Sequence, residues 1–256
     1  MIRRMSSKPQ QLFGLWLTLC VYLLLINGVQ NSSYASHAAP ATRETPTSLT
    51  GQERKQKDNA MEEVFRTAIT SVGEDYLEAE QALRAGGADA LMAMQQGLGD
   101  GDPIAPLLVQ VLTRWIEQNP PEYQAALDYL DFLPQKLART PIPKPSPSGV
   151  AAYLTKHFAG NVTDVLALRL IKAIEWPHWR VAGVLLYFQE HKDPQITAAL
   201  IRFAGQASDR DWRNLAIETI RATSDPNIGD KLASERQFYH ARHEAYPAHL
   251  GVLEAN

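Results

Sequence analysis

Two sets of side chains have the types and spacing to do chemistry. His240, His243 and Glu244 lie three and four residues apart near the carboxyl end, with His249 beyond Pro247. Side chains at that spacing share a helix face, and three imidazoles in the right geometry bind zinc. This segment is charged and terminal, so a solvated face accounts for it, and no metal or cofactor is expected. The second set is aromatic: Trp176, His178, Trp179 and Trp212. Flat rings along an exposed edge hold a peptide or a sugar ring by apolar contact, and these four are the candidate ligand- or partner-binding residues. The same rings also serve as filling between packed helices, which is their commoner use. Glu74, Asp75, Glu78 and Glu80 cluster on one stretch, which suits a solvated helix face better than a buried acid–base pair. The sequence contains no nucleophile elbow, HExxH, phosphate-binding glycine loop or dinucleotide fingerprint. A non-catalytic role is therefore expected.

Helices must position the tryptophans. Asp164 to Pro226 reads as two copies of one helical hairpin, and a shift of 33 residues places Arg169 on Arg202, Trp179 on Trp212 and Arg180 on Arg213. The closing pairs Asp193-Pro194 and Asp225-Pro226 are 32 residues apart, a slip of one. The first hairpin is expected to lead with 163–175, turn at Trp176-Pro177-His178 and return over 179–190. The second leads with 195–207, turns at Ser208 to Asp211 and returns over 212–223. Each helix is amphipathic but too short to be stable alone, and stacking supplies the missing apolar partner. Residues 88–118 look like an earlier copy, with Asp100-Gly101-Asp102 in the place of Asp209-Arg210-Asp211. Upstream, Val64, Ala68, Ile69 and Val72 form one apolar face, and Tyr76, Leu77 and Leu83 continue in a second helix. Ser71 with Glu74 resembles a capping box. Tyr123, Leu127, Leu130 and Leu137 are expected in the core, and residues 228–245 are expected to cap the open end.

The flanks say where the chain goes. Residues 1–11 carry three cations, residues 12–26 are almost wholly apolar, and small residues follow to Ala38. That is the order of a secretory signal. The alternative is an uncleaved anchor over residues 12–29, and both readings put the body outside the cytoplasm. Cys20, the single cysteine, falls inside this leader. Without residues 1–38 the chain keeps no thiolate or disulfide, and the net charge of −3 becomes about −6 once Arg3, Arg4 and Lys8 are gone. A mildly acidic body with no basic stripe is a poor partner for nucleic acid. Residues 39–58 read as a flexible linker, 59–139 as an N-terminal helical region, 140–149 as a proline-rich connector and 150–256 as C-terminal repeats with a capping helix. The sequons at Asn31 and Asn161 matter only on a eukaryotic secretory route, and Asn161 also reads as a helix cap.

Residues 88–118 and 164–226 resemble HEAT-like repeats, including the shorter kind in phycobilisome-lyase-related proteins. The likeness lies in the acidic turn, Asp209 and Asp211, and in the arginine after it, Arg213, with Arg180 in the earlier copy. It implies that these four form a structural ladder, acid to arginine across adjacent units, and that the protein is a scaffold or recognition surface. It departs at Trp176-Pro177-His178, which replaces the acid pair, and at Ile104, which stands where an arginine belongs. The expectation is thus an all-α protein: a short α-solenoid of stacked hairpins, irregular in its N-terminal half. It would be exported to the periplasm or another extracytoplasmic space, released or tethered by its N-terminus, and would bind another envelope protein. An envelope enzyme or metal-binding accessory using the C-terminal histidines, or a ligand-binding module using the tryptophan edge, are the alternatives.

Overall fold

The computed structural model describes residues 51–97, 101–137, 146–173, 176–223 and 225–255, without the side chains of 51–58, Gly97 and 132–137. The leader, the linker up to residue 50, Cys20, Asn31, Asp100, the core assignment of Leu137 and most of the proline-rich connector lie outside the described residues. Among the described residues there are twelve α-helices, one short 3₁₀ turn and no strand. None of these helices is long and apolar enough to cross a membrane.

The first helix, α1 (Gly51–Thr70), begins inside the stretch expected as linker. Its opening GQERKQKD is mostly straight-chain residues, which lose little rotamer freedom in a helix. A corner follows. Ser71 does not cap the next helix as a capping box would, because its hydroxyl donates to the Thr67 carbonyl at 2.6 Å, closing the helix behind it. The residue preceding α2 (Glu74–Gly86) is Gly73 at φ 70°, with no side-chain cap. Val72 therefore leaves the apolar face of α1 and is 58% exposed; Leu77, also expected inside, sits at the surface of α2. Next come α3 (Ala88–Gly97), α4 (Ala105–Gln118) and α5 (Pro121–Leu137). α4 shows why the pattern forms a helix: Leu107, Leu108, Val111, Leu112 and Trp115 recur at three- and four-residue steps and are all buried. Asn119 ends α4 in the left-handed region at φ 43°, a conformation asparagine tolerates.

In the C-terminal part, α6 (Pro147–Phe158) starts earlier than the apolar pattern alone implies. Ser146 accepts from the Gly149 N–H at 3.1 Å and Pro147 sits in the first turn, where its missing N–H costs nothing. Then follow α7 (Thr163–Lys172), α8 (His178–Glu190), the 3₁₀ turn Pro194–Ile196, α9 (Thr197–Gln206), α10 (Arg210–Thr223), α11 (Ile228–Ala241) and α12 (Ala248–Glu254). Helix α9 packs on α7 and α10 on α8, so equivalent elements of the two sequence copies lie side by side. Leu168 and Ile201 belong to one hydrophobic core.

The hairpins themselves are less regular than their sequences. Only α9 and α10 pack closely as a pair. Helix α8 lies chiefly against α6 and touches α7 lightly, and α3 lies chiefly against α1 and touches α4 lightly. Two features separate α7 from α8. Trp176, after the end of α7, is held on α5 by an N–H bond of 2.9 Å to Asp131 Oδ1. Gly183 lets α6 come close to α8: a Cβ there would stand 2.5 Å from Val150 Cβ and 2.9 Å from the Pro147 carbonyl. Helix α7 is thereby surrounded by α4, α5, α8 and α9, and all of it except Arg169 is buried. A helix buried on every side belongs at a centre rather than on one side of a row.

Candidate functional site

The turn into α10 gathers the most surface chemistry. Asp209 Oδ1 accepts the N–H groups of Asp211 at 2.8 Å and Trp212 at 3.1 Å, as an amino-terminal cap should. Arg213 donates to the Ala207 carbonyl at 2.9 Å and braces the same turn. His178, the first residue of α8, is 56% exposed at its side chain; its Nε2 stands 3.9 Å from Asp209 Oδ2. The His178 ring lies 5.4 Å from that of Trp212, and the Phe203 ring lies 6.4 Å from it. The Trp212 indole N–H is buried without an acceptor among the described residues.

Beside Trp212 is a hollow of about 360 Å³, walled by Leu170, Lys172, Val181 and Phe203, with Val72 and Gly73 at one lip. Lys172 is buried, and its ammonium donates to the Ile69 carbonyl and, at 3.1 Å, to that of Ser71. It thus satisfies carbonyls that the end of α1 leaves without helical partners. The Gly73 N–H returns a bond to the Lys172 carbonyl at 2.6 Å. Burial is the main cause that draws the Lys172 amine down to about 8.

The four candidate aromatic residues divide. Trp212 lines the hollow, and His178 lies against its ring. Trp176 is 7% exposed and committed to Asp131, and Trp179 is half-buried under the Arg180 guanidinium, 5.1 Å from its ring. Arg180 is itself buried, with Nε and one terminal nitrogen lacking acceptors among the described residues. Burial lowers its pKa and Asp131 offsets part of that. The turn acids and arginines therefore do not pair as a ladder of adjacent units would: Arg213 serves a carbonyl of its own turn, and Asp209 faces a histidine of the preceding hairpin.

The C-terminal histidines are spread apart. His240 is exposed and stacks on Tyr246, with ring centroids 6.3 Å apart, and His243 is exposed at φ 56°. His249 is buried with Nε2 3.1 Å from the Ile201 carbonyl. Burial lowers the His249 pKa, against the pull of that carbonyl. Among the described residues, the ligating groups close enough to share a metal ion are His178, Asp209 and Asp211, within 4.8 Å of one another.

Buried ion pairs between distant helices are made by other arginines, the ones the 33-residue shift superposes. Arg169 reaches buried Glu80 of α2 at 3.3 Å. Arg202 bonds buried Glu235 of α11 through two nitrogens at 3.1 Å each, and Asp102 at 3.1 Å. Burial pulls the Arg202 guanidinium down, but Glu235 and Asp102 outweigh it and leave it raised. Burial pushes the Glu235 carboxyl up, and Arg202 offsets only part of that. The ends of the two segments are held differently. Thr163 donates to Asp193 at 2.9 Å. Thr197 stands beside Asp225 in a looser geometry that leaves its hydroxyl without a full hydrogen bond, though near enough to help lower that carboxyl. Compared with family models, curated proteins and solved structures, the chain matches none.

Proposed function

We propose that the protein is an exported, non-catalytic helical-repeat module that binds another protein of the bacterial cell envelope, and that it binds through the hollow beside Trp212. The observation that carries this reading is the construction of the hollow: apolar walls from Leu170, Val181 and Phe203, an indole fixed by its own turn, and an exposed valine at the lip. Interfaces concentrate their affinity where one large side chain fills such a recess, and the partner is taken to offer an apolar side chain there. The repeat reading draws support from the packing of α7 on α9 and α8 on α10. Export rests on the charge and hydropathy order of residues 1–38.

A photoreactive amino acid placed at Val72 tests the site in the full chain in its own cells. One discrete adduct is expected, and Trp212→Ala should abolish it. The control position is Met92, 49% exposed on α3 and no part of the hollow. The reading fails if Val72 and Met92 yield the same adducts, or if Trp212→Ala leaves the Val72 adduct unchanged.

A further inference from the structure

We infer that His178, Asp209 and Asp211 bind a divalent transition-metal ion, zinc being the best fit, and that the ion clips the turn before α8 to the turn before α10. This site stands independently of any partner protein. One imidazole nitrogen and two carboxylates form a borderline donor set that suits zinc or its neighbours better than calcium or magnesium, which take oxygen ligands alone. Three protein donors also leave a fourth position of a zinc ion open.

The arrangement differs from an ordinary acidic surface. Its imidazole comes from the preceding hairpin, so the donors converge from two elements that the fold, not the local chain, brings together. His178 Nε2 and Asp209 Oδ2 face each other at 3.9 Å, too far for a hydrogen bond. Two donors each about 2.0–2.2 Å from one tetrahedral zinc ion stand about 3.3–3.6 Å apart, so this gap needs to close by about half an ångström for the two to share an ion. All three donor atoms lie within 4.8 Å of one another, and rotation of the exposed His178 and Asp211 side chains must bring them closer. Asp209 is also oriented from behind: its other oxygen holds two backbone N–H groups, the outer support that metal-binding carboxylates require. Trp212 backs the imidazole at 5.4 Å. The amino ends of α8 and α10 act against a cation, but their partial charges are smaller than the two full carboxylate charges.

The test uses full-length protein freed of metal with a chelator and titrated calorimetrically with zinc chloride. One saturable site per chain is expected, weakened about 10-fold or more in both His178→Ala and Asp211→Asn, and unchanged in the double variant His240→Ala, His243→Ala. Asp209 is left intact because it also caps α10. In chelator, wild type and both single variants should melt together; with zinc, only the wild type should gain thermal stability. A titration without a saturable site, an affinity that survives both His178→Ala and Asp211→Asn, or a site lost with His240 and His243 overturns the inference.

Discussion

At Lys172 the chain places a cation where water barely reaches and holds it with two carbonyl oxygens rather than a carboxylate. The folded pKa is about 8 against an ordinary 10.5. Between those values the unfolded chain keeps a proton that the folded chain has released, so stability rises with pH. Tyr76, Tyr123 and Tyr187, all raised chiefly by burial, act in the opposite sense only as pH passes about 10. The unfolding free energy obtained from urea titrations should therefore climb from pH 8 to pH 9.5, by on the order of 1 kcal/mol, and Lys172→Met should flatten the climb. An equal climb in the variant would remove Lys172 as its source. The register in the sequence already aligned Arg169 with Arg202, and each bonds a buried carboxylate on a distant helix. Their partners were not legible. Glu80 sits in a run of acids with the look of a solvated face; Arg84 of its own helix stands 3.8 Å away, and Arg169 of α7, 89 residues later, comes to 3.3 Å. The same limit hid the pairing of His178 with Asp209, which depends on how two turns are set side by side.

Among the elements, the packing of α6 on α8 decides more of the architecture than either sequence copy does. Gly183 is its point of closest approach. Gly183→Ala should gain up to about 1 kcal/mol in helix propensity and lose more to overpacking against Val150 and the Pro147 carbonyl, for a net destabilisation of about 1–3 kcal/mol. Chemical denaturation would check this; a variant as stable as the wild type would mean that α6 yields freely. Helix existence was largely legible, because three- and four-residue periodicity is a local property: α4, α7, α9 and α10 fall where the pattern puts them. Helix ends were less so. Ser71 had two backbones within reach and bonded the one behind it, and Gly51 to Asp58 entered a helix that their low hydrophobicity did not announce. Neighbours were least legible. A closed hairpin and an open one have the same periodicity, and the difference between α9–α10 and α7–α8 lies in Trp176 reaching α5 and in one missing Cβ.

Across the whole molecule, the described residues from Gly51 onward form one compact unit, tied by contacts between distant parts of the sequence. The Arg202 cluster joins Asp102, before α4, to Glu235, in α11. Tyr123 donates to Asp164, and Arg114 stands 3.6 Å from the same carboxylate. A chain ended after Phe158 would lose Arg169 from buried Glu80, Lys172 from the end of α1 and Asp164 from Tyr123. It should show no cooperative thermal transition, and a sharp melt of that fragment by circular dichroism would refute the expectation. The enclosure of α7 then bears on synthesis and transport. A nascent chain emerges amino end first, and its first half meets no finished interior until α7 and the helices beyond it have appeared. Such a polypeptide is expected to fold late, which is compatible with the export proposed for it.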